Sequence, residues 1–545
     1  MMQNKDKKYI KKFMILLFWL GVWQITAVCV DNFLLVVTPL QALRALTVLA
    51  GQVEFWRSAL GSLWRIAAGF LLGAFLGLLL AAVSYRYRLA EEILRPFMVF
   101  CKAVPVAVFA VLLLIWWGAS PLAVAVCFFV VFPNIYLNTL EGLKSADAEL
   151  IEMAEVFRLP FATRFFYIYR PALKPFLLSA FQLSLGMSWK SGVAAEVIGT
   201  PLHSIGGALY LAKIYLDTAD LFAWTAVIIV LSVLFEKIVF GCVEYFFRWE
   251  PACKRPAMPQ KNVSRERRTL CVADFGKCYH DRWIFRHVEQ EFHGGEPYFL
   301  DTPSGSGKTT FFRCLCGLER PEEGEVSGID AFSVQFQEDR LCEEYSAVKN
   351  LEMVMGDAKE ARKALTWLLP EEALGQPCHE LSGGMKRRVS LVRAMEAGAQ
   401  CVLLDEPFTG LDEENREKAY EYIRTHANGR IIMIAAYQTV GEYAGGRSEG
   451  RRIMGKDTGN TRVTLVGIIV EEKEAAGRIN GLLHEYGEYI IGRMGIPYHE
   501  KQMSIISVVM DAPQEKVSAL SGKLGMIPGV SSKCLYAPDT QKTLK

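Results

Sequence analysis

No CxxC pair occurs among the thirteen cysteines of this 545-residue chain. The only close pair, Cys314 and Cys316, falls in a helical apolar pattern and reads as helix packing. Zinc ribbons and disulfide scaffolds are thereby excluded, and the usage fits a reducing cytosol. Net charge is lacking as well. Sixty Lys and Arg against 58 Asp and Glu leave +2, so nothing in the balance calls for a nucleic-acid partner. The first apolar run has no small-x-small cleavage pattern behind it and is too long for a signal peptide.

What is present divides the chain. Up to about Val243 it is dominated by apolar runs; beyond Trp249 it reads as soluble protein. A bilayer core needs about 20 apolar residues per helix. Six spans are expected: Phe13–Val30, Trp64–Ser84, Pro96–Gly118, Pro121–Leu140, Pro175–Gly199 and Leu221–Val243. Lys and Arg asymmetry orients them. The basic leader KDKKYIKK, Tyr85–Arg95, Glu141–Lys174 and everything after Tyr245 are expected in the cytoplasm, whereas Asp31–Glu54 and Thr200–Asp220 are poor in Lys and Arg. The expectation is a multi-pass protein of the plasma membrane, with its N-terminus and soluble half in the cytoplasm. Glu196 and Lys190 fall inside the fifth span, where a charge needs a partner or a polar pathway. Six residues apart, they do not share a helix face.

The cytoplasmic segment ELIEMAEVFRLPFATRFFYIYRPALKP, Glu149–Pro175, mixes a short amphipathic helix with a Pro-bounded turn. Glu152, Ala154 and RPALKP resemble the EAA coupling loop of binding-protein-dependent importer permeases. Arg158 stands at that loop's usual glycine, so a differently built turn is expected. PLQALRAL, SLWRIAAGF and SWKSGVAAEVIG extend the resemblance, over Phe33–Val243, to permeases for nitrate, sulfonate, taurine and thiamine-precursor uptake.

After a basic linker, Pro251–Arg268, short β-rich runs alternate with helical patterns, an α/β signature. SGSGKTT sits on a strand-to-helix turn, the context that a phosphate-binding loop requires. Ser304, Gly305, Ser306, Gly307, Lys308, Thr309 and Thr310 would cradle the phosphates at the helix N-terminus. Gln337 in VQFQEDR, Ser382, Gly383 and Gly384 in LSGGMKRRVSLVRAM, Asp405 and Glu406 in CVLLDEP, and Asp412 in GLDEEN follow in order. Together they resemble the Q-loop, signature, Walker B and D-loop of the ABC ATPases. The resemblance implies ATP and Mg²⁺ as cofactors, with Thr309, Asp405 and Gln337 around the metal. It also implies Glu406 polarising the attacking water, Gln337 sensing the γ-phosphate and Tyr279 stacking on adenine. In this family the signature completes the partner's site, which implies a C₂ homodimer.

Two positions depart from the family pattern. Thr302 replaces the glycine that opens the loop. Tyr437, 31 residues after Glu406, occupies the place of the switch histidine; it can donate a hydrogen bond but carries no positive charge at neutral pH. The helical arm, Tyr345–Gln376, is also shorter than is usual in importers.

Beyond a Gly- and charge-rich linker, the order of strand and helix patterns is βαββαβ, which suggests a ferredoxin-like fold. GEYIIGRMGIPY and LSGKLGMIPGV resemble the ACT-like regulators of iron-only hydrogenase systems over Arg462–Tyr536. The expected division is an all-α six-helix permease over 1–250, a linker over 251–268 and an α/β P-loop ATPase over 269–444. A linker over 445–461, a ferredoxin-like domain over 462–538 and a tail over 539–545 complete it. The reading is ATP-driven import of a small solute delivered by an extracytoplasmic binding protein, with a membrane sensor that binds ATP without turnover as the alternative.

Overall fold

The computed structural model describes residues 2–32, 34–254, 256, 269–280, 282–295, 297–300, 306–436, 461–470, 475–498 and 503–536. The expectations for Thr302, Ser304, Gly305 and Tyr437, for most of both linkers and for the tail lie outside them. Two compact units are present, Met1–Arg451 and Arg452–Lys545.

The first unit opens with helices α1 (Met2–Val30), α2 (Pro39–Ala50), α3 (Val53–Arg86), α4 (Arg88–Ala103), α5 (Val106–Trp117) and α6 (Leu122–Lys144). The short α7 (Ala148–Val156) and α8 (Phe161–Arg164) lead through a π-turn into α9 (Arg170–Gly199), then α10 (Ile205–Ile214) and α11 (Thr218–Arg248). Among the described residues four helices are long and apolar enough to cross a membrane: α3, α6, α11 and the Phe13–Val30 part of α1. The expected continuous span Pro96–Gly118 needs correction. It is broken into α4 and α5, bent by 104°. Pro105 has no N–H to donate and drives Val104 to extended backbone, ψ 125°. The pair makes a fifth crossing only if counted as one span. The expected fifth span lies in the unbroken α9, but its lysines, glutamate and serines keep it out of the apolar group.

Small residues set the helix packing. A Cβ on Gly69 of α3 would lie 2.4 Å from the Val124 carbonyl of α6, so only glycine permits that approach. Glu196 on α9 is wholly buried. It accepts hydrogen bonds from Ser62, from Arg65 at 2.8 Å and from the Gly206 N–H at 3.2 Å, tying α9 to α3 and to the start of α10. Its part is polar packing between helices.

The soluble half of this unit has two sheets. Strands β1 (Thr269–Tyr279), β2 (Arg282–His293) and β4 (Glu323–Ser327) form an antiparallel sheet in the order β2-β1-β4. Strands β3 (Tyr298–Leu300), β5 (Phe332–Gln335), β6 (Cys401–Asp405) and β7 (Ile431–Ala435) form a parallel sheet in the order β3-β7-β6-β5. β6 and β7 are buried along their whole length, as a parallel sheet covered on both faces requires. Helix α12 (Lys308–Leu315) follows β3; α13 (Ala347–Met355), α14 (Ala358–Leu365), α15 (Gly383–Glu396) and α16 (Glu413–Thr425) complete the fold.

The second unit runs β8 (Thr461–Val470), α17 (Ala476–Glu485), β9 (Ile490–Tyr498), β10 (Met503–Pro513), α18 (Gln514–Gly525) and β11 (Val530–Tyr536). This is the expected βαββαβ order. The sheet, ordered β11-β8-β10-β9, is antiparallel throughout. Its inner face, with Val466, Ile468, Val508 and Met510, packs on Ile479 and Leu483 of α17 and Val517 and Leu520 of α18.

Candidate active site

Helix α12 starts at Lys308, so the last loop residues, Ser306 and Gly307, lead directly into its N-terminus. Gly307 has φ +91°, and a Cβ there would fall 2.3 Å from Ile284 Cγ2. Glycine is required on both counts. Lys308 is buried, and Thr309 and Thr310 occupy the first helical turn, where free N–H groups favour an anion.

Thr309 Oγ1 donates to Asp405 Oδ2 at 2.6 Å, joining α12 to the end of β6. Burial pushes the Asp405 carboxyl above its ordinary range, and the neighbouring Glu406 adds to the shift. Two hard oxygens, one on a buried carboxylate, suit Mg²⁺, which takes few protein ligands and draws the rest from phosphate and water. No group of three or more His, Cys, Asp or Glu that could hold a metal occurs among the described residues.

Glu406 leaves β6 with φ +49°, a left-handed conformation that costs a non-glycine residue about 1–3 kcal/mol. Its N–H is held by the Ala435 carbonyl at 2.8 Å and its carboxylate accepts from Thr409 Oγ1 at 3.1 Å. The turn directs the side chain off the strand line while the backbone stays pinned. Gln337, just past β5, is exposed, and its carbonyl accepts from Arg387 at 2.8 Å.

Sequence reasoning passed over Arg387. Its buried guanidinium donates to the carbonyls of Phe336 at 2.9 Å and Gln337 at 2.8 Å, and to those of Asp405 at 2.5 Å and Glu406 at 2.6 Å. It therefore stitches the Gln337 loop to the Asp405–Glu406 turn. Only its place in the run MKRR signalled it. Ser382 caps α15 by accepting from the Met385 N–H at 3.4 Å, with Gly383 and Gly384 in the first turn. Asp412 caps α16, accepting from the Asn415 N–H at 2.9 Å. Tyr279 ends β1, half-exposed, and its hydroxyl donates to Glu319, which with burial pushes the phenol up to about 12.

The same helix α12 reaches the membrane half. Arg313 makes two 3.0 Å bonds to the Glu152 carboxylate of α7, and Arg340 adds a third at 2.8 Å. These guanidinium groups hold Glu152 below the usual carboxylate range. Arg158 takes φ +50°, the left-handed conformation glycine would adopt, and its guanidinium reaches the Asp330 carbonyl. Arginine therefore holds at this turn a left-handed backbone that favours glycine.

Three family models match in chain order. Binding-protein-dependent transport system inner membrane component matches residues 69–249, ABC transporter residues 285–409, and iron-only hydrogenase system regulator residues 462–534. An aliphatic sulfonates import ATP-binding protein of Paraburkholderia xenovorans is 32% identical over 187 residues, which are 33% of this chain and 75% of that protein. This chain belongs to the ABC transporters. The transporter is also similar to a Bacillus subtilis permease named for aliphatic sulfonates, 28% identical over 34% of this chain and 68% of that one. Its C-terminal unit is similar to the uncharacterised protein TM1266 of Thermotoga maritima, 36% identical over 14% of this chain and all of that one, with a TM-score of 0.14.

Proposed function

We propose that this transporter imports a small solute of the sulfonate, nitrate, taurine or thiamine-precursor class across the plasma membrane, driven by Mg²⁺-ATP. The bridge from Glu152 to Arg313 carries the reading, because it joins the membrane half to the helix that begins at Lys308. Movement of α12 on nucleotide binding is thereby felt at α7. Ser304 to Thr310 hold the phosphates, Tyr279 stacks on adenine, and Thr309, Asp405 and Gln337 surround the metal, which screens phosphate charge. Glu406 orients water, with Gln337 and Tyr437 near the γ-phosphate. Two copies pair so that Ser382, Gly383, Gly384 and Asp412 of each complete the other's site.

In this reading six crossings place the ATPase (269–444) and a ferredoxin-like regulatory domain (462–538) in the cytoplasm behind a permease (1–250), and an extracytoplasmic binding protein delivers the solute. Glu406→Gln should bind ATP yet release no phosphate, as followed by steady-state release from proteoliposomes. Phosphate release equal to that of the unsubstituted chain sinks the assignment.

A further inference from the structure

Helix α9 carries two ionisable groups within the membrane half, and their surroundings differ. Glu196 is enclosed by Ser62, Arg65 and the Gly206 N–H. Lys190 is exposed and has no acidic partner among the described residues. It lies 20 residues from the start of α9 and nine from its end, about 30 Å and 14 Å along the axis. An ammonium so far inside a span is too costly to face hydrocarbon, and such a group faces water or a counter-charge. Gln182, Gly186, Lys190 and Ala194 succeed one another at four-residue intervals and are all exposed, so they form one stripe, flanked by the exposed Leu183 and Met187. Leu177, Ala180, Ser184, Ser188 and Ala195, on the other side, are buried. A Cβ on Gly186 would meet nothing within 4 Å, so the stripe borders open space.

We infer that this stripe lines the solute pathway and that Lys190 makes it selective for an oxyanion, such as a sulfonate. In a twofold pair the same residue comes from both copies, so two ammonium groups converge on the path and raise the local anion concentration. This rests on the importer reading and narrows its solute to the anionic members.

The test uses the full chain in nanodiscs carrying Gly186→Cys, one turn from Lys190, with the unsubstituted chain as the background for its native cysteines. Labelling rates are compared for an anionic methanethiosulfonate, the ethylsulfonate, and its cationic trimethylammonium counterpart. The anionic reagent should react faster. Adding Lys190→Gln should lower the anion-to-cation rate ratio about tenfold, and Lys190→Arg should preserve it. Absence of labelling by either reagent, or a ratio that Lys190→Gln leaves unchanged, overturns the inference; the second result would mean a carboxylate of the other copy already neutralises Lys190. ATP turnover in the same nanodiscs tests the importer reading separately, since its loss would not alter the labelling ratio.

Discussion

Burial lifts the Asp405 carboxyl, whereas Arg313 and Arg340 hold Glu152 down, so the two sites carry opposite pH signatures. A raised folded pKa stabilises below the ordinary carboxylate value and loses that contribution as pH rises through the folded one. A lowered one stabilises above the ordinary value and loses it as pH falls through the folded one. Asp405→Asn should therefore raise the melting temperature of the nucleotide-free transporter at pH 7, while removing Mg²⁺-dependent turnover. A lower melting temperature would contradict the raised carboxyl. Glu152→Ala should cost about 1–3 kcal/mol, because Arg313 loses two hydrogen bonds and Arg340, only 7% exposed, keeps just the longer pairs to Glu149 and Glu338. The loss should show at pH 7 in chemical denaturation and fade as pH falls through the folded pKa of Glu152. At this scale, the phosphate loop and Asp405–Glu406 were legible because each needs particular residue types in sequence. Arg387 was not: two adjacent arginines give no sign of which one turns inward.

Among elements, the break between α4 and α5 shows what composition conceals. Apolar content over Pro96–Gly118 is interrupted by a single charge, Lys102, and a hydropathy reading is blind to direction, so Pro105 counted as one more tolerated residue of a span. Period and strand order served better in the C-terminal unit, where alternation fixes which face is buried and hence the pairing. The α7 turn is an intermediate case. The resemblance supplied a glycine position, and the backbone there is left-handed with arginine in place. Arg158→Gly and Arg158→Ala both lose the guanidinium contact to Asp330, but only glycine relieves the strain of the turn. The glycine variant should exceed the alanine variant by about 1 kcal/mol in denaturant unfolding. Equal midpoints would mean that the turn relaxes.

For the whole molecule, the two compact units bear on regulation. The C-terminal sheet and helices enclose their own core, so deleting residues 461–545 should leave basal ATP turnover within about twofold of the full chain, since no residue assigned to the nucleotide site is removed. If the domain gates transport, any small-molecule response of turnover should vanish with it; a response that survives the deletion argues for a purely structural role. The order permease, ATPase, C-terminal βαββαβ unit was readable throughout, because each module carries its own periodicity and motifs. The solute was not, since the identity of a cargo resides in a few pathway side chains whose spacing follows no general pattern.

Just past helix α11 the chain is pinned at two points: Tyr167 donates to the Pro251 carbonyl at 2.6 Å, and the Cys253 N–H donates to Glu352 at 3.3 Å. Because one chain carries both the permease and the ATPase, ATPases cannot be exchanged between permeases, and this has a genetic consequence. On the proposed twofold pairing, a cell expressing equal amounts of sound and Glu406→Gln chains would pair them at random, leaving only about a quarter of the assemblies with two sound copies. An inactive allele would then act as a dominant poison. The ratio of solute uptake to inactive chain, titrated by co-expression, should follow the square of the sound fraction.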